Sequence, residues 1–175
     1  MKTKFILIAA LILTAFTAQI KAQSVKGKLT LNEKSRVNLE METNSVTSLF
    51  KDFKTRKYQL QFSFNAYAVK PNMYGEKIVF FDFVTRVKKN GKLIKEVRRE
   101  QPFPYFPGDM FLGPESFDFI SILSTVDGGD INNPDNVGTI PEGEYAITLR
   151  VIPHGFKGNI NPLEIYFALR KRPTR

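Results

Sequence analysis

Strict alternation of apolar and polar residues is the feature that most restricts how this chain can fold. Tyr58, Leu60, Phe62, Phe64, Ala66 and Ala68 alternate with Gln59, Gln61, Ser63, Asn65 and Tyr67. Successive strand side chains point to opposite faces, so this run describes a strand with one buried and one wet face. Val37, Leu39 and Met41 alternate in the same way, as do Tyr145 to Val151 and Leu163 to Leu169. Ile78 to Val84 is apolar except for Asp82, the pattern of a central strand covered on both faces. Phe117 to Leu123 reads as a less regular strand.

Helix has little support outside Ser45 to Lys57, where Val46, Leu49, Phe50 and Phe53 recur at 3- and 4-residue spacing. Asn90-Gly91 marks a two-residue hairpin, because a type I′ turn needs positive φ at both central positions. An unbroken register would set Val87 opposite Ile94, Val84 opposite Val97, and Asp82 opposite Arg99 as an ion pair. About seven or eight short strands separated by turns, with no long linker, predict a single antiparallel β-sandwich with at most one short helix.

The first residues address the compartment. Lys2 and Lys4 precede an uninterrupted apolar run, Phe5 to Leu13, and small residues follow. A basic start, a short apolar run and a small residue at the cut describe a secretory signal. Cleavage after Ala22 makes residues 1–22 the signal and 23–175 the mature domain, with Ala18 as the alternative cut. A membrane span needs about 20 predominantly apolar residues, and this run is shorter. The ending Ile20-Lys21-Ala22-Gln23 resembles the export signals of Gram-negative bacteria. The chain has no cysteine, which excludes disulfides and lipoprotein anchoring. The expectation is a periplasmic or secreted protein that depends on its core alone.

Pro141-Glu142-Gly143-Glu144-Tyr145, leading into an alternating strand, resembles the corner before the penultimate strand of immunoglobulin-like and fibronectin type III-like domains. That resemblance implies that Tyr145 bonds back to the preceding turn, and it extends over the last 35 or so residues only. It concerns architecture and says nothing of function.

Charge is segregated. Residues 23–99 carry 17 basic and 7 acidic side chains, whereas residues 100–149 carry 9 acidic ones and no Lys or Arg. The Asn-Gly hairpin concentrates Lys88, Lys89 and Lys92 with Arg86, Lys95, Arg98 and Arg99 around one acid, Glu96. Such a tip suits an anionic glycan, a lipid headgroup or an acidic protein, and it equally suits a sheet edge kept soluble. Nucleic acid is the weakest partner and is not expected, because the chain is exported and the hairpin lacks interleaved aromatics for base stacking. In the acidic half, Asp127, Asp130 and Asp135 lie in a Gly- and Asn-containing stretch that offers oxygen ligands to calcium, although the same residues are ordinary turn formers.

Gln101 to Pro114 holds four prolines yet carries Phe103, Tyr105, Phe106 and Phe111. Proline interrupts central strands, so the segment reads as a stiff aromatic loop. About half of its rings should cap the sandwich, with Tyr105 the ring best suited to face solvent because of its polar tip. With one histidine and no nucleophile motif, catalysis has few routes, the carboxylates Asp109, Glu115 and Asp118 being the remaining one. These observations predict a non-enzymatic binding or assembly module of the bacterial envelope or exterior. Its partner would be a protein or glycan met through Phe103, Tyr105, Phe106 and Phe111, or through Lys88, Lys89 and Lys92. A carbohydrate-binding module, calcium-assisted or not, and a small glycosidase-like enzyme are the alternatives. Self-association of the basic hairpin with the acidic segment of a second copy is a further expectation.

Overall fold

The computed structural model of the protein describes residues 23–41, 43–125 and 139–170. The export signal expected at residues 1–22 lies outside them. The described strands are β1 (Ser24–Leu31), β2 (Arg36–Asn38), β3 (Leu60–Tyr67), β4 (Val79–Lys89), β5 (Lys92–Arg98), β6 (Phe103–Tyr105), β7 (Gly108–Leu112), β8 (Gly143–Pro153), β9 (Lys157–Asn161) and β10 (Leu163–Leu169). Helix α1 (Val46–Lys54) lies between β2 and β3, and a 3-10 turn (Pro114–Ser116) followed by helix α2 (Phe119–Ser124) follows β7. The strands form two sheets, one ordered β7-β3-β1-β9 and the other β2-β10-β8-β4-β5, with β6 also paired to β4.

The sheets face each other across one core, as expected of a sandwich, but they are mixed rather than purely antiparallel. β1 runs parallel to β9, and β2 runs parallel to β10. The cause is a shared change of sheet. The chain leaves the four-stranded sheet after β1 through Asn32 and Glu33, both at positive φ (47° and 68°), and enters the other sheet as β2. The β9–β10 segment makes the same crossing at Pro162, so two strand pairs travel side by side in one direction.

The alternating runs deliver the core. Phe62 and Phe64 of β3 meet Phe81 of β4 with centroids 5.1 and 4.8 Å apart, both near edge-on. Each of these three rings is essentially inaccessible, and burying one contributes about 2–3 kcal/mol of transfer free energy. Gly27 permits the approach of β1 to β3, since a Cβ there would sit 2.2 Å from the Ser63 carbonyl oxygen. Tyr145, 2% exposed, donates from its hydroxyl to the Pro141 carbonyl at 2.7 Å, the back-bond that the corner resemblance implies.

Three expectations change. Phe117 to Leu123 is not a strand: Phe119, Ile122 and Leu123 are buried at helical spacing in α2, and Phe119 packs on Phe53 of α1 at 5.4 Å. There are thus two α-helices among the described residues rather than at most one, and ten strands rather than seven or eight, because the proline-rich segment adds the short strands β6 and β7. The hairpin turns at Asn90 and Gly91 (φ 50° and 78°) as read, but its register shifts by one between Val87 and Lys88. Val87 therefore opposes Lys95, Val84 opposes Arg98, and Asp82 approaches Arg98 at 3.6 Å instead of Arg99. The proline-rich segment is not a loop throughout, because β6 and β7 are edge strands where Pro104 and the flanking prolines cost no central ladder bond.

Candidate ligand-binding face

The aromatic segment passes from one sheet to the other, and ladder register decides which rings it shows. Phe103 pairs with Phe81 and Tyr105 with Val79, both fully buried, so Phe103 and Tyr105 share the inward face. Phe103 lies edge-on to Phe83 at 5.6 Å. Tyr105 sits 5.8 Å from Phe62 and 5.9 Å from Phe83. Tyr105 is accordingly not the solvent-facing ring. Its burial pushes the phenol above its ordinary pKa, against smaller opposing effects of the Ser116 hydrogen bond and the Arg99 charge. The exposed rings are Phe106 at 55% and Phe111 at 69%.

Arg99 fastens the segment that follows β7. Its Nε and Nη2 donate to the two carboxylate oxygens of Asp118 at 3.0 and 2.9 Å, and Nη2 also donates to the Glu115 carbonyl at 2.7 Å. The guanidinium lies 5.2 Å from the Phe103 ring centroid. The Asp118 hydrogen bond is the main cause that raises the Arg99 pKa, offset by desolvation. Asp118 itself takes a left-handed backbone (φ 56°), so this bidentate pair holds the entry to α2 in an uncommon conformation. Its carboxylate, one of those considered for acid–base work, is occupied by that pair. His154 has a neighbour the sequence did not reveal, its Nδ1 standing 3.5 Å from the Asp82 carboxylate.

Phe111 belongs to the outer face of the β7-β3-β1 sheet. Two cross-strand rows meet there: Phe111, Gln61 and Thr30 form one, and Asp109, Ser63 and Lys28 the next. Thr30 Oγ1 donates to Gln61 Oε1 at 3.3 Å, which occupies the oxygen end of that amide. These residues and Glu33 line an open groove of about 510 Å³ with Phe111 at one wall. On the other side of the ring a second depression of about 300 Å³ runs between α1 and β7, past Phe53, Tyr58, Leu112 and Glu115. Gln61, Ser63, Lys28 and Thr30 were not candidates from sequence. The polar half of the 58–68 alternation names Gln61 and Ser63 as outward-facing, but only the β3–β7 pairing brings them to an aromatic ring, and the β1–β3 pairing adds Lys28 and Thr30.

Lys88, Lys89 and Lys92 stand at the turn of the β4–β5 hairpin. With Leu93, Ile94, Ile122 and Thr125 the tip frames a wide depression of about 880 Å³. From Phe81, opposite Phe103, to Lys89 the strand advances eight residues, about 26 Å at the usual rise. The structure therefore separates the basic tip from the rings of β6 rather than joining them. Asp127, Asp130 and Asp135 lie outside the described residues. Among the described residues no three His, Asp or Glu side chains gather as metal ligands, and no helix is long and apolar enough to cross a membrane. Comparison with models of known protein families gives no match, and comparison with curated proteins gives none either.

Proposed function

We propose that this protein is an exported, non-enzymatic binding module of the bacterial envelope or exterior, working in the periplasm or after secretion. Its sandwich is read as immunoglobulin-like, on the strength of the Tyr145–Pro141 corner bond. It engages its partner through the outer face of β7, with Phe111 as the anchor.

One observation carries this reading. Phe111 is 69% exposed, yet it sits on a short strand whose neighbouring positions, Met110 and Leu112, pack against the core. The inward packing of its neighbours fixes the strand, so a partner meets the ring between two depressions without having to order the main chain there. Scattered exposed apolar residues are common on any surface; a ring at a fixed strand position with grooves on both sides has the geometry of a binding anchor. The test is retention of the fluorescently labelled protein on washed bacterial envelopes. Phe111→Ala should lower retention at least about tenfold, a loss of about 1.4 kcal/mol, with an unchanged circular dichroism spectrum. Equal retention of the variant and the parent would remove Phe111 from the interface and the proposal with it.

A further inference from the structure

We infer that the ligand of the β7-β3-β1 face is an uncharged oligosaccharide, one sugar ring lying on Phe111 and its hydroxyls reaching Gln61, Ser63 and Asp109. This rests on the binding role proposed above and names the class of ligand.

The chemistry around the ring selects it. The face of an aromatic ring is electronegative and attracts polarised C–H groups, which a sugar presents on one side while its hydroxyls point outward. Those hydroxyls both donate and accept, so they need a surface offering both functions. Here Lys28 and the Gln61 amide nitrogen donate, the Asp109 carboxylate accepts, and the Ser63 hydroxyl does either. The Thr30 hydroxyl engages the Gln61 carbonyl oxygen at 3.3 Å, so the function Gln61 has to offer a ligand is its NH2 group.

Spacing agrees. Neighbouring strands are about 4.8 Å apart and successive outward residues of a strand about 6.7 Å apart. The two rows therefore form a grid of polar groups on the scale of a sugar ring, beside the aromatic wall. The groove, at about 510 Å³, lies within the usual range of small-ligand sites, about 300–1,000 Å³.

Charge rules on the alternatives. The groove holds one cation, Lys28, against two carboxylates, Asp109 and Glu33. An anionic glycan would meet repulsion there and would be drawn to the lysines of the β4–β5 tip instead. A protein partner would require a much broader patch, since specific protein interfaces bury about 800 Å² per side. The surroundings of Phe111 on β3 and β1 are polar.

The test is a printed array of neutral and sulfated oligosaccharides probed with the full exported protein, followed by calorimetry with the best soluble hit. Neutral glycans should bind. Phe111→Ala should weaken that binding at least about tenfold, and Asp109→Asn and Gln61→Ala about three- to tenfold each. Lys88→Gln with Lys92→Gln should leave it within about twofold. Binding confined to sulfated glycans and lost in the lysine variant overturns the inference, as does an array without any hit. The same variants on washed envelopes separate the two levels. Phe111-dependent retention that no neutral glycan competes away ends the sugar assignment and leaves the binding face standing. Retention indifferent to Phe111 ends both.

Discussion

Thr85 offers the sharpest test of how the region behind the proposed binding face is held. It lies on the inward face of β4, 1% exposed, and its hydroxyl donates to the main-chain carbonyl of Phe117 just before α2. Thr85→Val preserves the branched shape and the strand preference while deleting the donor. Leaving a buried carbonyl without this donor costs about 1–3 kcal/mol. The added methyl prefers the dry interior and returns up to about 1 kcal/mol. With the mid-range loss of about 2 kcal/mol and at most about 1 returned, the net loss is about 1–2 kcal/mol, which for a chain of this size lowers the melting temperature by about 2–8 °C. The chain has no tryptophan, so urea unfolding followed by far-ultraviolet circular dichroism is the suitable assay. Native-state hydrogen exchange gives the localisation: amides of Phe117 to Ser124 should exchange faster in the variant, ahead of those in β4 and β8. A variant as stable as the parent, with unchanged exchange across that segment, would mean that the Thr85 hydroxyl does not hold the Phe117 carbonyl.

Two further predictions follow from single groups. Burial holds the Tyr105 phenol above its ordinary pKa, so the folded state keeps that proton where the unfolded chain gives it up. This contribution to stability is whole below about pH 10 and is lost as pH rises through the folded value; Tyr105→Phe should show a smaller alkaline fall in urea midpoint, and an identical fall would contradict the assignment. Tyr145→Phe removes the 2.7 Å bond to Pro141 but keeps the ring stacked on Phe167 at 4.8 Å; it should cost about 1 kcal/mol in urea unfolding, and an unchanged midpoint would make the corner bond idle.

What could be read from sequence was local. The Tyr58–Ala68 alternation gave β3 and its buried rings, because a period of two is written in adjacent residues. Asn90-Gly91 gave the hairpin turn, because positive φ is a property of those two residues. The shift after Val87 was not legible, since nothing in the local residue types distinguishes a bulged from an unbroken ladder. Helix α2 left a trace, Phe119 with Ile122 and Leu123, but six residues give too few repeats to outweigh a strand reading. The parallel pairs depend on where two distant segments change sheets, at Asn32–Glu33 and at Pro162, and no local pattern reports that.

The candidate site shows the same division. All four aromatic residues proposed from sequence lie in or beside β6 and β7, yet the choice of Tyr105 as the exposed ring failed. A polar tip favours exposure only when the backbone leaves the side chain free to choose. Pairing opposite Val79 fixes Tyr105 inward, and pairing opposite Gln61 fixes Phe111 outward. Polarity was visible in the sequence; register was not.

The most direct test of the binding face is a nuclear magnetic resonance titration of the isotopically labelled protein with a neutral oligosaccharide taken from the array. Binding at the proposed face should shift amides only around residues 28–30, 61–63 and 109–111, which lie far apart in the chain and adjacent in the sheet. Shifts centred on Lys88 to Lys95, with the β7 face silent, would contradict it.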